Sequence, residues 1–159
     1  MPTTENRPVG SAAVAPAGPT PQKRTEELGT KEALRLLGTV GLGRVVFTRR
    51  ALPAVLPVNH LLDDGDIIVS VQEGSTLEAL LTAPNSPDVV VAYEADSIDP
   101  DTRLGWSVVA TGHASAVTDQ TELNRYAQRL KSWADAPPSG AVRIKPGVVT
   151  GFRLRAVNS

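Results

Sequence analysis

The chain has 159 residues, of which 41% are hydrophobic, and it carries a formal net charge of −1 and no cysteine. This size suits a single domain with one hydrophobic core, and the balanced, interspersed charge argues against the basic surface of a nucleic-acid-binding protein. No run approaches the roughly 20 apolar residues of a membrane span, the first residues lack the layout of a secretory signal, and cysteine chemistry is excluded, so we expect a cytoplasmic protein.

The first 24 residues differ in composition from the rest of the chain. They contain five of the 13 prolines and no aromatic residue, which is too little apolar surface to offset the entropy of ordering. The sequence therefore predicts a disordered tail over residues 1–24 and one domain over residues 25–159. From Thr25 the pattern is helical, and Gly38 is placed to end the helix.

The next segment has the pattern of three short β-strands. Strands are predicted over Arg44–Arg49, Ala54–Leu62 and Asp66–Val71. Asp64-Gly65 joins the last two as a tight hairpin, because both central residues of such a turn need positive φ. Ser75 then opens a helix, whose first backbone N–H groups have no partners inside the helix. A strand that leads into a helix N-terminus is typical of an anion site, which suggests a phosphorylated ligand.

The second half of the domain continues with strands and one helix. A strand is predicted over Asp88–Glu94 and a longer one over Gly105–Val117, in which Gly112 indicates a bulge. A capping-box pattern at residues 119–122 begins a helix, and final strands are predicted over 142–144 and 148–156. Six or seven strands and three helices favour a mainly β (α+β) fold. Its expected form is an antiparallel split β-barrel with short capping helices, because closure removes exposed sheet edges.

Six segments, taken in order, resemble a known family over most of the domain. They are RVVFT (44–48), LPVNH (56–60), EGSTLEAL (73–80), VVVAYEAD (89–96), GWSVVATGHA (105–114) and VTGFRL (149–154). Together they resemble the pyridoxamine 5′-phosphate oxidase-like family of FMN-binding split β-barrels. The resemblance implies a homodimer with two cofactor clefts at the subunit interface. Each cleft would hold FMN or, in some branches of the family, a deazaflavin coenzyme or haem.

The same resemblance implies which residues contact the cofactor. The stretch beside the flavin ring corresponds to Pro57, Val58, Asn59 and His60. The phosphate-binding strand end and turn correspond to Ser70, Val71, Gln72, Gly74, Ser75 and Thr76. An aromatic position near the cleft corresponds to Trp106.

Each of these roles has a structural alternative. Asn59 and His60 could simply close a strand end, and Trp106 could pack in the core or at an interface. Ser75 and Glu78 complete a capping box, so Ser75 could serve its own helix rather than a ligand. His60 and His113 are expected to be structural histidines, and we predict no metal site.

The phosphate-binding segment departs from the family pattern. Family members usually carry an arginine and a threonine where this chain has Ser70 and Val71, and a lysine where it has Thr76. Losing two cations removes strong charge-assisted contacts with phosphate. Replacement cations could come from Arg44, Arg49, Arg50 or Arg103.

The resemblance implies an FMN-dependent oxidoreductase that passes hydride or electrons to a small electrophile or to oxygen. Flavin chemistry suits a chain without an obvious acid–base pair, because the cofactor carries the reaction. One alternative is a non-catalytic ligand-sensing or partner-binding split barrel that has lost FMN. Another is a deazaflavin- or haem-binding variant. Catalytic residues are not assigned.

Overall fold

The computed structural model describes residues 13–15, 18, 22–72, 74–82, 89–130 and 140–157. These residues form seven strands and three helices, and every strand pairing is antiparallel. In chain order the elements are β1 (Lys23–Glu27), α1 (Thr30–Leu37), β2 (Leu42–Arg49), β3 (Leu52–Asp63), β4 (Asp66–Val71), α2 (Thr76–Thr82), β5 (Val89–Ile98), β6 (Gly105–Ala116), α3 (Gln120–Arg129) and β7 (Gly140–Ala156).

The strands close into a ring, which confirms the predicted split barrel. Neighbouring strands follow the order β4-β3-β2-β5-β6, and β7 closes the ring by pairing with both β4 and β6. One edge of β7 is shared, because residues 140–144 pair with β4 and residues 152–156 pair with β1. Between these two ladders β4 and β1 are separated along the edge of β7, and this gap is the split in the barrel.

The two predicted C-terminal strands are one continuous strand, β7. Pro146 lies within this strand although it has no N–H to donate to a ladder. The strand tolerates it because the ladder with β6 shifts register there. Thr111 pairs with Val148 and Gly112 with Pro146, so Gly147 is the extra residue of the bulge. A Cβ at Gly112 would overlap the Lys145 carbonyl, which explains the glycine and confirms the bulge predicted at this position.

The N-terminal boundary differs from the sequence expectation. The helical pattern predicted from Thr25 begins only at Thr30, because residues up to Glu27 form β1 and pair with β7. Lys23 and Arg24 belong to this strand, although the composition places them in the predicted tail. Residues 1–12, 16, 17 and 19–21, most of that tail, lie outside the described residues.

The core lies inside the barrel, and α1 and α3 pack on different sides of the barrel wall. Leu36 and Leu37 of α1 belong to the interior cluster, together with the inward side chains of the strands. Tyr126 of α3 is fully buried on the outside, where it covers a second cluster that includes Ile68 and Ala141. Among the described residues no helix is long and apolar enough to cross a membrane.

Charged groups fasten α3 to the β3–β4 hairpin. Asp64 and Gly65 have φ of 50° and 83°, as predicted for the tight turn. The Arg143 guanidinium lies 3.0 Å from Asp66 and 2.8 Å from Glu122, so one β7 side chain joins the hairpin to α3. These ion pairs therefore fix the orientation in which α3 covers the second cluster.

Candidate functional site

At the strand end predicted to face the flavin ring, successive side chains lie on opposite faces of the barrel wall. The β3–β4 ladder begins with His60 opposite Val69, and both side chains are buried inside the barrel. Successive side chains of a strand alternate between faces. Asn59 and Ser70, each one residue beyond that pair, are therefore half-buried on the outer face. The structure brings these two predicted contacts close together.

The remaining predicted ring and cleft contacts divide between the two faces. Pro57 is exposed on the outer face of β3, where it pairs with Arg44 of β2. Val58, Val71 and Trp106 are buried in the interior cluster. Their side chains pack the core, so only their backbone groups face a ligand on the outside. The Trp106 side chain therefore packs in the core, which is the structural alternative to a cofactor contact at this position.

The His60 side chain is held by two protein partners in the interior. Nε2 lies 2.8 Å from the Leu37 carbonyl oxygen, which only accepts, so Nε2 carries the proton and donates. Nδ1 therefore accepts from the Tyr93 hydroxyl. Burial lowers the pKa of His60 and raises the pKa of Tyr93, so both groups are neutral at pH 7. His60 thus ties the end of α1 to β3 and β5.

The predicted phosphate turn is closed by its own side chains. Gly74 has φ of 77°, which lets the chain turn sharply from Gln72 into α2. The Ser75 hydroxyl accepts from the Glu78 N–H at 3.2 Å, and the Glu78 carboxylate accepts from the Gly74 N–H at 3.0 Å. The Ser75 half of the predicted capping box therefore forms, but Glu78 accepts from Gly74 rather than from the Ser75 N–H, which donates to the Gln72 carbonyl instead. Thr76 begins α2 and is half-buried.

None of the candidate replacement arginines forms a described contact with this turn. Arg44 lies on the outer face of β2, 51% exposed, with a guanidinium nitrogen 3.0 Å from Glu94. Burial, with Asp96 close by, raises the pKa of Glu94, while Arg44 opposes that shift. Arg49 and Arg50 end β2 and begin the turn to β3, and Arg103 lies in the loop before β6.

The two histidines are not brought together. His113 is exposed on the outer face of β6, opposite Val90 and Lys145, whereas His60 is inside the barrel. No group of three or more His, Cys, Asp or Glu side chains in the described part of the chain could hold a metal ion.

One half of the outer wall is left uncovered by the described helices, and sequence patterns alone do not reveal it. The residues in register across β3, β2, β5, β6 and β7 are Val55, Val46, Ala92, Thr111 and Val148. The next row contains Pro57, Arg44, Glu94, Val109 and Thr150. We call these two rows the uncovered face. Val55 and Val148 are 60% and 63% exposed.

A shallow groove borders the uncovered face. It has a volume of about 410 Å³ and crosses the outer side of β1, β7 and β6. Val109 and Thr150 of the uncovered face line it, together with Phe152, which is itself partly exposed. The predicted contact Pro57 belongs to the same two rows, so the candidate site adjoins an apolar surface rather than an enclosed cavity.

A seven-stranded split barrel with this strand order defines the class of protein, and comparison of sequences defines the family. Residues 29–153 match the family model described as pyridoxamine 5′-phosphate oxidase. The chain therefore belongs to the pyridoxamine 5′-phosphate oxidase-like family, as the sequence resemblance predicts.

Known relatives and structures agree with this assignment. The chain is 44% identical over 140 residues to the uncharacterized protein Rv0080 of Mycobacterium tuberculosis, covering 88% of this chain and 92% of that protein. A candidate pyridoxamine 5′-phosphate oxidase from Corynebacterium glutamicum is 32% identical with a TM-score of 0.68, covering 84% of this chain and 100% of the other. The FAD-binding protein from Mycobacterium smegmatis is 26% identical with a TM-score of 0.62, covering 83% and 100%.

Proposed function

We propose that this chain is a flavin-binding homodimer that passes hydride or electrons to a small electrophile or to oxygen. The observation that carries the proposal is the position of Pro57 and Asn59, which lie on the outer side of β3 where the uncovered face begins. A ligand lying on this strand would be covered on one side by the barrel and on the other by a second copy. A bound flavin would supply the electron-transfer chemistry.

The uncovered face supports the homodimer. A mostly apolar row that crosses five strands, with Val55 and Val148 exposed at its two ends, is typical of a protein-binding surface, because soluble monomers rarely leave large apolar patches open. Arg44 and Glu94 in the adjacent row already form an ion pair, so covering this row would bury a paired rather than a lone charge. A two-fold arrangement would place the same rows on both subunits.

The oligomeric state tests the dimer. Val148→Glu puts a charge in the apolar row and should convert a dimer to a monomer, as measured by light scattering during size-exclusion chromatography. Leu52→Glu is the matched control, because Leu52 is 70% exposed but lies at the start of β3 with the opposite strand parity to Val55. A wild-type monomer, or dimer loss in both variants alike, would contradict an interface on this face.

The chain's own residues give the flavin its contacts on the ring side. The Asn59 amide offers both a donor and an acceptor to the pyrimidine edge of a flavin, where hydrogen bonds tune the redox potential. Pro57 offers an apolar surface and a carbonyl but no N–H. The M. smegmatis relative binds FAD by its name, and the family resemblance suggests FMN. Both support a flavin in this cleft.

An absorption spectrum of the purified protein tests the cofactor. Flavin bands, or binding of added FMN or FAD at micromolar concentrations, would support the proposal, and Asn59→Ala should weaken that binding. A Soret band would instead indicate the haem-binding branch, and a deazaflavin titration tests the other branch. A colourless protein that does not bind flavin even at millimolar concentration would contradict the oxidoreductase proposal.

A non-catalytic partner-binding split barrel is the second candidate, and the closed turn at α2 favours it. A barrel that had lost its phosphate contacts would keep the fold, the capped helix and the uncovered face. The same flavin titration separates the two candidates, because only the first requires a flavin to bind.

A further inference from the structure

Most of the described backbone N–H groups in the turn before α2 donate to acceptors within the turn itself. The Gly74 N–H donates to the Glu78 carboxylate, the Glu78 N–H donates to the Ser75 hydroxyl, and the Ser75 N–H donates to the Gln72 carbonyl at 3.1 Å. Of the described N–H groups from Gly74 to Glu78, this leaves those of Thr76 and Leu77 for a ligand. A phosphate monoester in such a turn needs several converging donors, because it presents three strongly accepting oxygens.

The turn also carries the wrong charge for a phosphate. The Glu78 carboxylate lies 3.0 Å from the Gly74 nitrogen, where it already supplies the negative charge favoured at a helix N-terminus. Among the described ion pairs none includes Glu78, so no described cation offsets it. A second anion here would meet like-charge repulsion rather than attraction.

We infer that this turn does not hold the phosphate of FMN, and that Glu78 makes the cleft prefer flavins with no dianionic phosphate at this position. Riboflavin has no phosphate, and in FAD the phosphate next to the ribityl chain has one ester and one anhydride bond and a single negative charge, so both place less charge at this position than the FMN dianion. This inference rests on the proposed function, because it concerns which flavin the same cleft accepts.

The test compares three flavins on one protein. Dissociation constants for riboflavin, FMN and FAD are measured by quenching of flavin fluorescence with the full-length wild-type chain. We expect riboflavin to bind at least as tightly as FMN. Tighter binding of FAD than riboflavin would show contacts to the adenylate half, and equal binding would show that the ring and ribityl chain suffice. Both results support the inference.

Glu78→Gln isolates the charge. The glutamine carbonyl can still accept from the Gly74 N–H, so α2 is kept while the negative charge is removed. FMN binding should tighten about tenfold, corresponding to about 1.4 kcal/mol, and riboflavin binding should not change. Asp101→Asn is the control that removes a carboxylate elsewhere. Asp101 lies in the loop before β6, at the other end of that strand from Ala116, which shares a groove with Glu78.

The outcomes separate the inference from the proposed function. Wild-type binding of FMN at least tenfold tighter than riboflavin would overturn the inference and leave the flavin proposal intact. A Glu78→Gln variant that leaves the FMN to riboflavin ratio unchanged would also overturn it. If none of the three flavins binds, the proposed function fails and the inference falls with it.

Discussion

Replacing Tyr93 with phenylalanine tests whether the buried contact with His60 stabilises the barrel. The change removes the hydroxyl and leaves the His60 Nδ1 without its donor, in a site where both side chains are buried. An unsatisfied buried acceptor costs about 1–3 kcal/mol, so we expect a loss of about 2 kcal/mol in the free energy of unfolding. For a chain of this size that loss lowers Tm by roughly 4–8 °C.

Tyr126→Phe is the matched control, because the same atom is removed from an equally buried ring. The Tyr126 hydroxyl contacts Asp63 and Arg143, but Asp63 is reached by solvent and keeps an ion pair with Arg125 at 2.8 Å. Water can replace the lost bond there, so the expected loss is about half as large, roughly 1 kcal/mol. Urea unfolding of both variants gives the comparison. A Tyr126→Phe loss equal to or larger than that of Tyr93→Phe would refute the argument from burial.

Three further predictions concern pH, the bulge and the α2 turn. Burial lowers the pKa of His60 in the folded state, so the unfolded chain binds the proton more readily than the folded one. His60 therefore contributes stability above its unfolded pKa of about 6.5, and this contribution is lost as the pH falls below that value. Urea unfolding between pH 7 and pH 5 should show this slope in His113→Gln but not in His60→Gln, and an equal slope in both would contradict it. Gly112→Ala should lower the free energy of unfolding by about 3 kcal/mol, because its Cβ overlaps the Lys145 carbonyl, while Gly147→Ala, with only Thr111 nearby at 3.6 Å, should cost less than about 1 kcal/mol. Thr76→Lys should tighten FMN binding about tenfold relative to riboflavin by adding one charge-assisted contact, and an unchanged ratio would mean that the turn does not face the ribityl end of the flavin.

Local chemistry made much of this fold predictable. The Asp64-Gly65 turn needs positive φ at both residues, and the structure has it. The strands on either side of the turn were predictable because each is a short extended run, and Gly112 was predictable as a bulge because a glycine interrupts a long strand. The N-cap hydrogen bonds at Ser75 and Asp119, which accept from the Glu78 and Glu122 N–H groups, form as their spacing predicts. In each case the cause lies within a few residues of the effect.

Features that depend on distant partners were not predictable. β1 is a strand only because the edge of β7, more than 120 residues later, offers it a ladder, and its own sequence has a helical pattern. The LPVNH segment does not show which of its side chains point inward. That direction is set by the pairing of β3 with β2 and β4, which turns His60 toward Tyr93 and Leu37.

The candidate site also depends on what α3 leaves uncovered. Tyr126 and Leu130 cover the outer wall over Leu61, Ile68 and Ala141, and the charge contacts of Arg143 hold the helix there. The two rows of the uncovered face receive no such cover from the described helices. Asn59 and Ser70 lie between the covered and uncovered halves, so a ligand at this strand end would touch both the barrel and whatever packs on the uncovered face. If that partner is a second copy, cofactor binding and dimer formation are thermodynamically linked, and each must strengthen the other by the same factor.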